Sequence, residues 1–373
     1  MSPPVRYHLN GFPPANLDWA RLVPLIGKAN AALARYDGLI TAMPNAAVLL
    51  SPLTMREAVL SSSIEGTNVT LSEVLEIEAG ADAKVEQPKR DDAEEIVNYR
   101  KALVFAANVL QDRPFSQHVL REAHALLMQG VRGRDKAPGA FRNEQNWIGP
   151  KGCAMGNAAF VPIPQEHLLA GIERWAAYIQ SADEPDPLVQ LALIHVEFEA
   201  LHPFKDGNGR LGRMLIPLFL YMRKLLSGPN FYMSGYLEAR REEYVEALRS
   251  VSRDGAWTEW AAFFLQGVFE QALENQAKAT AILDLYRQML KDVPRLTHSQ
   301  FSPLAVEFLF SKPIFSSVHF IKTAKIPKTS APRLLAAFRE AGILSVIREA
   351  SGRRPAFYVF SRLMNIAEGK NVF

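Results

Sequence analysis

Cysteine is almost missing from this chain: Cys153 alone cannot form an internal disulfide and leaves no cluster to hold zinc. Long apolar runs are missing too, and none approaches the ~20 residues of a membrane-spanning helix. The opening Met1-Ser2-Pro3-Pro4-Val5-Arg6 has no apolar signal-peptide core, so the cytoplasm is the expected compartment. Together these absences argue against a disulfide-stapled secreted scaffold and against a helical membrane protein.

The 48% hydrophobic and 22% charged composition is that of an ordinary folded protein, and 373 residues allow two or three domains. A net charge of +3 conceals an asymmetry. From Arg295 to Phe373 there are twelve Lys or Arg against four Asp or Glu, so this end carries +8 and the remainder −5.

The densest chemistry lies in His202-Pro203-Phe204-Lys205-Asp206-Gly207-Asn208-Gly209-Arg210-Leu211-Gly212-Arg213. Upstream, Leu188, Leu191, Ala192, His195 and Phe198 recur at helical spacing, and Pro203 disfavours helix at the residue before it. Downstream, Leu211, Met214, Leu215, Leu218, Phe219 and Met222 define a second helix that starts near Asn208, a good capping residue. Glycines at 207 and 209 let the backbone approach a ligand, and the first amides of a helix attract anions. Arg210 and Arg213 can reach different phosphates. Asp206 can hold a divalent cation, and His202 can take a proton from a hydroxyl near neutral pH. Gly207 to Gly212 also spells GxGxxG, but a helix precedes it where a dinucleotide site needs a strand, and no Walker lysine follows.

The same span resembles the signature of the Fic family, HPF-x-[DE]-GNGR-x-x-R, at every fixed position. That resemblance implies AMP transfer from ATP to a protein hydroxyl. His202 would be the general base, Asp206 the Mg2+ ligand and Gly207, Asn208 and Gly209 the anion nest. Arg210 and Arg213, with Leu211 and Gly212 between them, would clamp the nucleotide phosphates. Upstream, Ser61-Ser62-Ser63-Ile64-Glu65-Gly66 resembles the family's inhibitory motif, [ST]-x-x-x-E-[GN]. Glu65 falls near a helix C-terminus, where a carboxylate is electrostatically disfavoured and invites a cation. By the resemblance that cation is Arg213, and Ser61, Glu65 and Gly66 form a regulatory element that keeps the γ-phosphate out.

Elsewhere the periodicity predicts helices over 17–36, 51–60, 93–109, 116–128, 164–178 and 187–201, then 236–252 and 258–286. Glycines and prolines between 130 and 164 predict a hairpin pairing Asn146-Trp147-Ile148-Gly149 with Ala159-Phe160-Val161-Pro162. Its exposed edge could add a strand from a target protein, which makes Phe160 and Val161 candidate docking residues. In the family a hairpin flap at this place aligns the target. Tyr244 falls about where the family sets an aromatic against the nucleotide base, although an aromatic at helical spacing is more often core.

The basic end reads as helices over 304–310, 318–324 and 331–341, then strands over 343–348 and 355–360. This order resembles a winged helix-turn-helix, with Ser330 capping the recognition helix. Lys325, Lys328, Arg333, Arg339, Arg353 and Arg354 could contact DNA phosphates, against a protein-docking or purely structural role for the same domain.

The expected fold is therefore mainly α: a Fic-like helical bundle with a β-hairpin flap and a C-terminal winged helix. Residues 1–110 form an N-terminal helical segment, 111–285 the catalytic core and 295–373 the winged helix. ATP and Mg2+ are the expected ligands, a protein with an acceptor hydroxyl (the chain itself included) the expected partner, and a homodimer a further family-level expectation. Two alternatives stand beside this reading: other transfer or AMP-removal chemistry on the same fold, and an ATP-sensing DNA-binding regulator.

Overall fold

The computed structural model describes residues 3–80, 86–130, 134–352 and 354–373. In chain order the elements are β1 (Val5–Arg6), α1 (Trp19–Thr41), α2 (Ala46–Leu49), α3 (Ser51–Ile64), α4 (Leu71–Glu78), α5 (Gln87–Asp112) and α6 (Gln117–Leu127). Next come β2 (Phe160–Val161), α7 (Leu168–Gln180), α8 (Pro187–Leu201), α9 (Asn208–Met222), α10 (Ser234–Ala239), α11 (Arg241–Asp254) and α12 (Trp257–Thr297). The chain closes with α13 (Ser302–Ser311), β3 (Ile314–Ser316), α14 (Ser317–Thr323), α15 (Ala331–Glu340), β4 (Ser345–Arg348), β5 (Phe357–Val359) and α16 (Ser361–Glu368). The fold is mainly helical. Two compact units form, one from residues 1–37, 60–66 and 97–273 and the other from 38–59, 67–96 and 274–373.

The first unit is organised around α8 and α9. Asp186 caps α8 by accepting from the Leu188 and Val189 amides, and Pro187 stands where a helix tolerates proline. Leu188 through Phe198 are all buried, so α8 is surrounded rather than packed by one face. Two fully buried tryptophans brace it, Trp175 donating to Ile194 O at 2.9 Å and Trp260 to Ala192 O at 2.7 Å. Arg240, at φ −121° and ψ 37°, breaks the single helix expected over 236–252 into α10 and α11. Conversely α12 runs through Pro294 to Thr297, past the expected end at Tyr286, and stops where His298 turns left-handed.

The expected hairpin shrinks to one antiparallel bridge, Ile148 to Phe160. On its other side β2 pairs in parallel with β1, Val5 opposite Phe160 and Arg6 opposite Val161. Phe160 and Val161 are both buried, Phe160 paired along both edges and Val161 along one, and the open docking edge expected there is closed by the N-terminal segment. Periodicity in so short a strand carries no information about its neighbours.

In the second unit, Thr70 and Glu73 form a capping box that starts α4. The three helices and two strands expected after residue 300 are present, with β3 and α16 in addition. The strands make one antiparallel sheet in the order β3-β5-β4. Ser330 lies in helical geometry and makes no side-chain cap, contrary to expectation. Of the six basic residues singled out, Arg353 lies outside the described residues; the other five are exposed. Phe308 meets Phe315 and Phe320 edge to face, each at 5.0 Å, and the last two stack at 5.7 Å, forming an aromatic cluster in this unit. Phe315→Ala should cost about 3–5 kcal/mol, read as a lowered denaturation midpoint of the full chain.

Candidate active site

α8 ends because His202 turns left-handed, at φ 47° and ψ 59°, under the constraint of Pro203. Such a conformation costs a non-glycine residue about 1–3 kcal/mol and needs support from its surroundings. Arg142 supplies it by donating from Nε to His202 O at 3.0 Å. Asn208 does not cap α9 as expected. Gly207 takes that position at φ 75°, and Asn208 folds back on Phe204, accepting from its amide and donating to its carbonyl, both at 2.9 Å. This reciprocal pair closes the loop into a tight turn.

Below the turn, the Phe204 ring stacks on His124 at 3.7 Å with 10° between planes. The Gly139 amide donates to His124 Nδ1 at 2.9 Å, so Nε2 carries the proton and donates to Asp206 O at 3.0 Å. Burial pushes His124 down to about 4, which preserves this neutral form. The Asp206 carboxylate is half exposed and accepts from the Gly207 amide at 2.6 Å. Lys205, at a variable position of the signature, pairs with Glu144 at 2.7 Å.

Arg213 is almost wholly enclosed. It donates from Nε to Ser61 Oγ at 2.9 Å, and from Nη2 to Ser61 O and Glu65 Oε1, each at 2.7 Å. Arg241 caps the same end of α3 by donating to Ile64 O at 3.0 Å, and Gly66 leaves the helix at φ +96°. The Glu65 carboxylate lies over the first turn of α9: a β-carbon on Gly209 would sit 2.1 Å from its Oε1. Burial opposes ionisation of Glu65, but the charge of Arg213, its hydrogen bond, Arg210 and His202 together hold the carboxyl below its ordinary value. His202 is pushed down to about 4 by burial, against the pull of Glu65, so the imidazole is unprotonated near neutral pH.

Ile64, Glu65, His202, Gly209, Arg213 and Arg241 line one cavity of about 520 Å³, together with Ile148, Phe160, Glu199, Tyr244 and Arg249. That volume suits a small organic ligand. Tyr244 departs from expectation: it is buried and its hydroxyl meets His195 Nε2 at 2.8 Å, while His195 Nδ1 reaches Gly212 O at 3.1 Å. Its ring packs beside Trp260 at 6.1 Å, so it is a wall of the core rather than a free platform. Glu199, a residue the motif does not mark, is pushed up to about 7 by burial and by Glu65 against the charge of Arg213, and its Oε1 is buried without a hydrogen-bond partner. His124, Arg142 and Glu199 were all invisible to pattern reading, since each acts through contacts with backbone or neighbours distant in sequence.

A loop of this composition, set between two buried helices with Glu65 against its last arginine, defines the class: a mainly helical protein with a charged loop at the start of one buried helix. The Fic/DOC family N-terminal model matches residues 23–108 and the Fic/DOC family model residues 114–220. The chain belongs to the Fic family. It is similar to a probable protein adenylyltransferase of Aquifex aeolicus, 32% identical over 30% of this chain and 35% of the relative. Protein adenylyltransferase Fic of Drosophila erecta is 28% identical over 55% of this chain and 39% of its own. This chain thus spans little more than a third of the curated relatives it matches. The fold is shared with a Fic family protein from Desulfovibrio desulfuricans, at a TM-score of 0.60, 19% identity, and coverage of 93% and 98% of the two chains.

Crowding at Gly209 gives a direct check on the Glu65 contact. Gly209→Ala should displace the flexible Glu65 carboxylate from Arg213, so that its carboxyl titrates closer to the ordinary value, as followed by carbon NMR. The sign follows from the depressed carboxyl: its contribution to stability is present above the unfolded value and lost as pH falls through the folded one.

Proposed function

We propose that the protein is an adenylyltransferase that moves AMP from ATP to a Ser, Thr or Tyr hydroxyl of a protein, restrained by Glu65. The observation that carries this reading is the convergence of His202, Gly209 at the α9 N-terminus and Arg213 on one cavity large enough for a nucleotide. The names of the relatives, protein adenylyltransferases, support the same chemistry.

His202 takes the proton of the target hydroxyl, whose oxygen then attacks the α-phosphorus of ATP as the bond to pyrophosphate breaks. The amides at Gly207 to Gly209 and the guanidinium of Arg210 face the developing negative charge. Asp206, a single half-exposed carboxylate, fits a magnesium ion that takes most of its ligands from phosphate and water. Bound there, the ion would neutralise phosphate charge. Glu65 restrains the reaction in two ways: it engages Arg213, and it sets a carboxylate over the helix terminus that phosphate would occupy. The outer strand of the hairpin, where Trp147 and Ile148 are exposed, is the place for an extended target segment, in place of Phe160 and Val161.

A second reading concerns residues 295–373 alone. Lys325, Lys328, Arg333, Arg339 and Arg354 are exposed in this part of the second unit and suit a winged helix in contact with DNA or an acidic protein.

Intact-protein mass spectrometry with ATP and magnesium tests the main reading. Glu65→Gly should raise labelling by one AMP roughly 5- to 150-fold over the parent. Adding His202→Ala should lower the rate by about 10²–10⁴-fold, and chelating the metal should stop it. A labelling rate in the double variant within about tenfold of that in Glu65→Gly would overturn the assignment of the base.

A further inference from the structure

We propose that Arg142 is a positioning residue for His202, locking the base and the target-facing hairpin into one frame. The inference rests on the reading of His202 as the general base. Arg142 is 3% exposed, yet its hydrogen bonds among the described residues reach no carboxylate. A buried guanidinium is normally paired with an acid. Here carbonyl dipoles take that place, including those at the C-terminal end of α8, where a cation is favoured.

The carbonyls belong to two separate stretches. On the catalytic loop, Nε donates to His202 O at 3.0 Å, Nη2 to Leu201 O at 3.4 Å, and the Arg142 backbone amide to Pro203 O at 2.9 Å. Around the hairpin, Nη1 donates to Glu144 O at 2.9 Å and Nη2 to Ile163 O at 2.6 Å. A planar fork with five donors can bridge two such stretches at fixed angles, whereas a lysine ammonium cannot span them. The left-handed turn at His202, which aims the imidazole into the cavity, is therefore held from the side on which a target would lie.

The charge has a second effect. The groups that act on His202 are Glu65 just after α3, Asp206 from the loop, the Glu199 backbone from α8, and Arg142; the first three favour the imidazolium and Arg142 opposes it. Removing the guanidinium should thus loosen the position of the base and also shift its protonation to higher pH.

The test uses the full chain carrying Glu65→Gly, with Arg142→Met and Arg142→Lys added separately. Melting curves, ATP affinity by calorimetry, the single-turnover transfer rate and the His202 titration by histidine NMR are compared. Arg142→Met should hold ATP within about threefold yet transfer at least ~100-fold more slowly, the effect of a base misplaced by an ångström. Its His202 midpoint should move to higher pH. Arg142→Lys should keep the midpoint near that of the parent while transfer still falls. A methionine variant with the parent's rate overturns the proposal, as does a parallel loss of ATP affinity and rate in both variants, which a general collapse would produce. If Arg142→Met does not fold, the lysine variant decides by the same split between rate and affinity; failure of both to fold reduces Arg142 to a scaffold residue and rejects the proposal. If the Glu65→Gly parent transfers nothing, the adenylyl-transfer reading is what has failed. The NMR titration then judges Arg142 alone, with an unmoved midpoint in Arg142→Met as the rejecting result.

Discussion

Burial of α8 on every side is the constraint on which the rest of the site depends. A helix enclosed by protein cannot hand its last carbonyls to water, so the groups at Leu201, His202 and Pro203 must find partners in the chain. Arg142 provides them, and in doing so fixes the place at which the backbone leaves the helix. The loop that follows is equally enclosed from beneath, by His124 and Phe204, and only Lys205 and Asp206 reach out to solvent. Chemistry is thus confined to the upper face of a turn whose lower face is core.

The electrostatics follow from the same enclosure. Within one cavity stand a depressed histidine, a depressed glutamate and a raised one, each shifted by the balance between lost hydration and the charge of Arg213 or its neighbours. Glu65 and Glu199 compete for one guanidinium, and the hydrogen bonds that guanidinium makes with Ser61 and Glu65 gather on the last turn of α3 and the residue that follows it. Perturbation of several groups around one arginine is the pattern expected where charged ligands are exchanged for one another.

Much of this was legible in the sequence, for identifiable reasons. The helices on either side of the loop announce themselves through apolar spacing and through Pro203, and the loop through a run of residues with few structural uses. Glu65 could be singled out because a carboxylate before a helix-ending glycine is electrostatically awkward. What failed was local pattern applied to non-local contacts. The bridge from Ile148 to Phe160 fell where the hairpin was expected, but the partners on the other edge come from residues 5–7, far away in the chain, and nothing in a two-residue strand specifies them. Tyr244 was singled out by resemblance to the family's base-facing aromatic, against its helical spacing, and its neighbours His195 and Trp260 decide which way it faces. Asn208 has the chemistry of a cap, but a left-handed Gly207 left it free for the backbone of Phe204.

The separation of Glu65 from Arg213 by 148 residues has a consequence for the order in which the molecule is made. Synthesis proceeds at about 5–20 residues per second, so α3 leaves the ribosome on the order of 7 to 30 s before Arg213 does. The carboxylate therefore waits for the arginine, and never the reverse. No nascent chain presents the completed loop without the residue that occupies it, and the pairing is available from the moment the loop can fold.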